Sequence, residues 1–174
     1  MKKYKTQILA TITSILFWML CYSCTAQAQT NSKYTDFKKP AISDDILTTD
    51  TLLNKFMLHW IGKPYKLGGS TERGIDCSQF NKRLYKDVYN KQLGNVAYKQ
   101  WEQTERLKKD SLQIGDLIFF RSKASPSGWH TGTYIGNTYF IHAANKYEGV
   151  RVSSLEEPRY KKAVRGYGRL KDTQ

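Results

Sequence analysis

The chain has 174 residues, of which 40% are hydrophobic and 13% aromatic, so it can form one folded domain of ordinary size and has little room for a second. Charged residues make up 25%, and glycine and proline number only 12 and 4, which excludes a collagen-like, low-complexity or disordered chain. The formal net charge is +13 at pH 7.

The first 28 residues have the layout of an export signal. A lysine-rich start precedes an apolar stretch from Ile8 to Cys21, which is shorter than the roughly 20 residues that a membrane-spanning helix needs. Two processing routes are open: cleavage after Ala28, or attachment of a lipid at Cys24. We therefore expect an exported protein of the periplasm or cell envelope, either soluble or anchored at the outer membrane as a lipoprotein.

The positive charge belongs to the rest of the chain, because residues 1–28 hold three lysines and no acidic residue. In a cytosolic protein this charge would point to nucleic acid. Export directs it instead towards anionic envelope material, so we expect no nucleic-acid partner. The alternative is a basic surface that is simply solvated.

The apolar pattern divides the remaining chain into a tether and one domain. Residues 29–44 are polar and aperiodic, as in a tether, and the domain spans residues 45–174. Helical spacing predicts a first helix over 53–61, a second from Asp76 or Cys77 to about Tyr89 with Asp76 as its N-cap, and a third over 98–107.

Beyond Ser111 the pattern changes to short β-rich runs between turn residues. We expect strands at 116–121, 131–135, 138–143, 150–153 and 164–170. Helices followed by strands predict an α+β domain, with N-terminal helices packed on an antiparallel β-sheet.

Cys77 is the only cysteine of the predicted domain, since Cys21 and Cys24 lie in the export signal. It has no disulfide partner within the domain and is therefore either an inert buried thiol or a reactive one. Its place in the first turn of a helix predicts a lowered pKa, because free amides and the helix dipole stabilise a thiolate there.

Two histidines follow Cys77 in the β-rich part of the chain, separated by an even number of positions. His130 and His142 flank a predicted hairpin with Gly136 and Asn137 in its turn. With an odd connection or one bulge, both side chains stand on the same face of the sheet. If that sheet packs on the helix of Cys77, the three residues form a Cys-His-His arrangement for acyl transfer.

In that arrangement Cys77 attacks, His130 is the base, and His142 orients the ring of His130. The hydroxyl of Tyr65 and the backbone N–H of Cys77 are candidate donors to the oxyanion. Two alternatives stay open: the three residues hold a zinc ion, although no typical ligand spacing is present, or each histidine is only structural.

Three sequence blocks resemble one known family. The runs YKLGGSTERGIDCSQF (65–80), QIGDLIFF (113–120) and HTGTYIGNTYFIHA (130–143) are similar in order and spacing to the NlpC family of papain-like cell-wall cysteine peptidases, over about residues 50–170. The tail VSSLEEPRYKKA (152–163) further resembles the small Gram-negative Spr-type murein endopeptidase lipoproteins.

The resemblance implies an α+β fold with the Cys77 helix on an antiparallel sheet, and assigns nucleophile, base and third member to Cys77, His130 and His142. It places Tyr65 near the oxyanion, with Ser78 as a further oxyanion or substrate residue. It implies no metal or cofactor, and peptidoglycan stem peptides as substrate. We further expect a monomer.

Within the family the cut falls on the γ-D-glutamyl to diamino acid bond or on the D-alanyl to diaminopimelyl cross-link, and the Spr-type tail favours the cross-link. The alternatives are a non-catalytic cell-wall-binding module and an acyltransferase or amidase acting on a non-murein substrate.

The chain departs from the family pattern at three places. Gln79 follows Asp-Cys-Ser where the family usually has glycine, and Thr131 and Thr133 replace two apolar residues beside the first histidine. Ala97-Tyr98-Lys99 stands where relatives usually carry Pro-Arg-Ser or Pro-Arg-Thr, which puts substrate detail in doubt.

Overall fold

The computed structural model describes residues 46–171. The predicted export signal (1–28), with its lipidation site at Cys24, and the predicted tether (29–44) lie outside the described residues. Between residues 46 and 171, no helix is both long and apolar enough to cross a membrane.

Local signals explain where the helices begin. The carboxylate of Asp50 accepts hydrogen bonds from the amides of Leu52 (2.9 Å) and Leu53 (3.0 Å) at the start of the first helix. Asp76 caps the second helix, and Asn90 ends it with φ 52°. The helices are α1 (Thr51–Trp60), α2 (Cys77–Tyr89), α3 (Ala97–Glu102) and α4 (Pro158–Lys161), with a 3-10 turn at Lys109–Ser111.

The strands form a small hairpin and one six-stranded sheet. Strands β1 (Ser70–Thr71) and β2 (Gly74–Ile75) make the hairpin, and the sheet contains β3 (Thr104–Leu107), β4 (Leu117–Arg121), β5 (Trp129–Gly136), β6 (Tyr139–Ala143), β7 (Val150–Ser154) and β8 (Val164–Leu170). Its order is β3-β8-β4-β5-β6-β7, and every neighbouring pair is antiparallel. This confirms the predicted α+β class.

The predicted third helix is wrong in its extent. It ends at Glu102, and the residues that were expected to continue it form β3 instead. Strand β3 pairs with β8, with Thr104 opposite Leu170. A pairing partner more than sixty residues away leaves no trace in the local apolar pattern, so helical spacing could not reveal it.

The sheet carries a hydrophobic cluster on each face. Along β4, Leu117 and Phe119 belong to the cluster that includes Phe80 of α2, whereas Ile118 and Phe120 belong to the second. Alternate residues of a strand point to opposite faces, so this central strand is buried on both. The start of α2 is thereby held against the middle of the sheet.

Candidate active site

The turn that leads into α2 is tied together around Asp76. Its Oδ1 accepts from the amide of Gln79 and lies 2.8 Å from the hydroxyl of Ser78, and its Oδ2 accepts from the amide of Gly68 at 3.0 Å. The Ser78 hydroxyl also lies 3.0 Å from the carbonyl oxygen of Asn95. These bonds fix Cys77, the first residue of α2, against the loop before it.

Cys77 is 7% exposed, and its environment overturns the expected low pKa. Burial, reinforced by the nearby carboxylate of Asp76, raises the pKa of the Cys77 thiol to about 12, although the backbone amides of Thr131, Ser78 and Cys77 itself act in the opposite direction. The helix start therefore contributes as predicted, but loss of solvent outweighs it. The resting residue is a thiol.

A pocket of about 260 Å³ opens beside Cys77. Two further predicted site residues, Tyr65 and Ser78, line it. Tyr65 is positioned by a parallel bridge to Ile75, just before the N-cap of α2. Burial, with smaller contributions from Cys77 and Asp76, raises the pKa of Tyr65 to about 12, so its hydroxyl stays a hydrogen-bond donor at any ordinary pH.

The two predicted histidines meet across β5 and β6. Nε2 of His130 lies 2.7 Å from Nδ1 of His142. A bulge between Tyr134 and Gly136 shifts the register and brings both rings to the same face, one of the two conditions that the spacing required. Gly132 is needed between them, because a Cβ there would lie 3.1 Å from Cβ of His142 and 2.8 Å from the Phe140 ring.

Cys77 approaches β5 at Thr131, the residue after His130, and the amide of Thr131 interacts with the sulfur of Cys77. Among the described residues, no hydrogen bond joins Sγ of Cys77 to His130. The structure thus brings the histidines together and sets Cys77 beside Tyr65 and Ser78, while the transfer of a proton between Cys77 and His130 remains a prediction.

Sequence reasoning missed the residues that hold His142. That side chain is completely buried, and its Nε2 lies 3.1 Å from Oγ of Ser153 and 3.2 Å from the hydroxyl of Tyr160. Ser153 lies on β7 and Tyr160 on α4, so no local spacing links them to His142. The only available signal was the tail 152–163, which contains both.

Burial keeps both histidines neutral. It lowers the pKa of His130 to about 4. It also holds the pKa of His142 well below its usual value; the positive charges of Arg151 and Arg159 add to the effect, as would His130 if it were protonated.

We expect these histidines to make the fold sensitive to mild acid. Because their folded pKa values lie below the unfolded value of about 6.5, the unfolded chain binds more protons as the pH falls through 6.5, and stability declines from there towards pH 4. Urea unfolding at pH 7.5 and pH 5 should give a lower midpoint at pH 5.

Equal urea midpoints at pH 7.5 and pH 5 would contradict a pair of histidines that the fold holds neutral.

The two threonines that depart from the family pattern are explained by Asn81 of α2. Nδ2 of Asn81 donates to Oγ1 of Thr131 at 2.9 Å, and Oγ1 of Thr133 donates to Oδ1 of Asn81 at 3.1 Å. All three side chains are completely buried. We call Asn81, Thr131 and Thr133 the polar bridge. It joins α2, the helix of Cys77, to β5, the strand of His130, by hydrogen bonds in place of apolar contacts.

Replacing Asn81 with alanine should lower the free energy of unfolding by about 1–3 kcal/mol, because both threonine hydroxyls would then be buried without a partner. Urea denaturation measures this loss. R83A, on the exposed side of the same helix, is the control and should change stability by less than about 0.5 kcal/mol. A loss for N81A as small as that of R83A would show that the polar bridge contributes nothing.

The other departures lie at or near the pocket. Ala97 lines it, whereas Tyr98 is exposed and Lys99 forms an ion pair with Glu102 at 3.0 Å. Gln79 points away from the core and donates to the carbonyl oxygen of Asn95 at 2.9 Å. Residues 97–99 therefore supply no guanidinium group to the pocket, where the relatives usually carry an arginine in this segment.

A cysteine in the first turn of a helix, packed beside a sheet that carries two paired histidines, is the arrangement expected of an α+β cysteine peptidase. The chain belongs to the NlpC/P60 family, whose model matches residues 62–169. The match covers α2, both histidines and nearly the whole sheet.

Individual relatives agree with this membership. A "Probable endopeptidase" of Haemophilus influenzae is 34% identical over 163 residues, 94% of this chain and 96% of that protein. The "Murein DD-endopeptidase MepS/Murein LD-carboxypeptidase" of Escherichia coli K12 is 43% identical over 103 residues, which are 59% of this chain and 53% of the relative.

Among solved structures, a NlpC/P60 family protein from Bacillus cereus superposes with a TM-score of 0.62 at 30% identity. The match covers 72% of this chain and 41% of that one.

Proposed function

We propose that this protein is an exported endopeptidase that hydrolyses amide bonds of peptidoglycan stem peptides or their cross-links, with Cys77 as nucleophile and His130 as base. The observation that carries the proposal is the His130–His142 pair at 2.7 Å, in which His130 lies on β5, the strand whose Thr131 amide interacts with the sulfur of Cys77. Relatives named as murein endopeptidases support the choice of substrate.

The mechanism begins from a neutral pair, since the pKa of the Cys77 thiol is raised to about 12 and that of His130 lowered to about 4. The thiol proton passes to His130 as Sγ attacks the carbonyl carbon of the scissile amide, and the carbonyl oxygen becomes an oxyanion. The backbone N–H of Cys77 and the hydroxyl of Tyr65 stabilise that charge.

Collapse of the tetrahedral intermediate breaks the C–N bond. His130 gives its proton to the departing amine, and an acyl-enzyme thioester remains on Cys77. Water, deprotonated by His130, then attacks the thioester and releases the acid and the free thiol. In this scheme His142 orients His130, and Ser78, whose hydroxyl faces Asp76 and Asn95, holds the turn at the pocket wall.

We favour the D-alanyl to diaminopimelyl cross-link as the bond that is cut. The support is the name of the Escherichia coli relative, which describes a DD-endopeptidase, together with the Spr-type tail that supplies Ser153 and Tyr160. Cleavage after D-glutamate within one stem is the second candidate.

The charge of the domain suits an anionic wall. A surface pocket of about 520 Å³ is lined by Arg121, Lys123, Arg159 and Lys162 and by no acidic side chain. We propose that such basic surface concentrates the protein on the cell wall of the envelope, an attraction that salt should weaken. The proposal includes export, completed either by cleavage after Ala28 or by attachment of a lipid at Cys24.

Mass spectrometry of cross-linked muropeptides incubated with the purified protein tests the function. We expect dimers to be converted into intact monomers, which identifies cross-link hydrolysis. Shortened stems would move the cut to the D-glutamyl bond. No cysteine-dependent product, judged against the C77A variant, would overturn the peptidase proposal in favour of a wall-binding module or an acyltransferase on another substrate.

A further inference from the structure

The buried environment of His142 contains two hydroxyl groups that the mechanism above does not use. Ser153 is 2% exposed and Tyr160 is 9% exposed, and both hydroxyls lie within 3.2 Å of Nε2 of His142. A fully buried imidazole needs a hydrogen-bond partner at each ring nitrogen. The positions of the hydrogens on His142, Ser153 and Tyr160 decide which of these groups donates.

The distances around His142 admit two arrangements of the hydrogens. In the first, Oγ of Ser153 donates to the hydroxyl of Tyr160, 3.4 Å away. A serine hydroxyl has a single hydrogen, so Ser153 can then only accept from His142. Acceptance by Ser153 requires that His142 carries its hydrogen on Nε2.

That tautomer of His142 sets the tautomer of His130. With a hydrogen on Nε2, the Nδ1 atom of neutral His142 is a pure acceptor, and it lies 2.7 Å from Nε2 of His130. His130 must therefore donate through Nε2–H, which leaves the lone pair of the neutral ring on Nδ1. Because Nε2 is engaged by His142, Nδ1 is also the nitrogen available to a thiol.

The opposite arrangement would disable the base. If a hydroxyl donated to Nε2 of His142, the hydrogen of His142 would move to Nδ1 and point at Nε2 of His130. His130 would then carry its own hydrogen on Nδ1 and would have no free lone pair for the proton of Cys77. Which arrangement is adopted thus depends on groups that never contact the substrate.

We propose that Ser153 and Tyr160 are positioning residues: they form a directed hydrogen-bond chain, from His130 through His142 to Ser153 and Tyr160, that holds the basic lone pair of His130 on Nδ1. The proposal rests on the function proposed above for the role of His130, but the tautomer itself is a property of the protein without substrate.

Nitrogen-15 NMR of the histidine rings measures the tautomers directly. In the wild-type protein at pH 7.5, both His130 and His142 should carry hydrogen on Nε2. An Nδ1–H form of His142 in the wild type would overturn the chain at once, whether or not the protein hydrolyses muropeptides. Conversely, failure to cleave muropeptides with the predicted tautomers in place would overturn the substrate and leave the chain standing.

S153A tests the consequence for the reaction. It removes the acceptor and leaves Tyr160 free to donate to Nε2 of His142, so an Nδ1–H form of His142 should appear and kcat should fall on the order of 100-fold with KM unchanged. Y160F should act in the same direction, because Ser153 loses its acceptor and can turn its hydrogen towards His142. S153T, which keeps the hydroxyl, should restore the wild-type tautomer and most of kcat.

The matched control is S154A, the same change at the neighbouring position of β7, whose hydroxyl bonds Thr138 and the amide of Glu156 instead. It should leave tautomer and kcat unchanged. If S153A and Y160F both lower the melting temperature while tautomer and kcat stay as in the wild type, these residues have only a structural role and the proposal is wrong.

Discussion

Replacing Cys77 with alanine should abolish amide hydrolysis, with a loss of kcat/KM on the order of 10⁴-fold or more, while the protein stays folded. The sulfur is the only group in the mechanism that forms a covalent bond to the substrate, so no acyl-enzyme can form without it. Alanine fits a small buried site at the start of a helix without new strain, and loss of one atom should cost about 1 kcal/mol of stability or less.

The release of muropeptide products by C77A, measured against the wild type at equal concentration, checks this expectation. C77S is a useful companion, because it keeps a hydrogen-bonding group of similar size but a much poorer nucleophile, and it should also be inactive. Activity retained in either variant at more than a hundredth of the wild-type rate would rule out thiol attack.

H130A should lower kcat on the order of 10³-fold with little change in KM. Because the pKa of the Cys77 thiol is raised to about 12, few thiolates exist at pH 7 and the proton must be removed during attack. A general base contributes about 10²–10⁴-fold to such a step. The remaining rate should rise steeply with pH in H130A, since hydroxide then has to generate the thiolate.

The control for H130A is H59A, which removes a histidine that is exposed and paired with Glu72 at the surface. It should match the wild type in kcat and KM. If H130A kept a flat rate between pH 7 and 9, Cys77 would be ionised without the help of His130, and the neutral resting pair would be the wrong starting state.

Much of the fold could be predicted because its signals are local. Asp76 marks the start of α2, as the structure confirms, and the apolar runs give five of the six sheet strands to within a residue or two. The two histidines could be placed on one face since an even spacing and one bulge are sufficient. The transfer of a proton from Cys77 to His130 stays a prediction.

What the sequence did not show depends on contacts between distant segments. Strand β3 exists only through its pairing with β8. The helix start argued for a low thiol pKa, but whether water reaches Cys77 is decided by the sheet and loops packed around it. Ser153 and Tyr160 follow His142 by 11 and 18 positions, on elements whose approach no periodicity describes.

The polar bridge also limits the order in which this chain could have acquired its present residues. An amide introduced at position 81 against two apolar neighbours would be buried without partners, and so would a threonine hydroxyl introduced alone at 131 or 133. Each single step passes through a less stable protein, whereas the complete set is satisfied. The three positions are therefore epistatic, and their identities should change together among descendants of one ancestor.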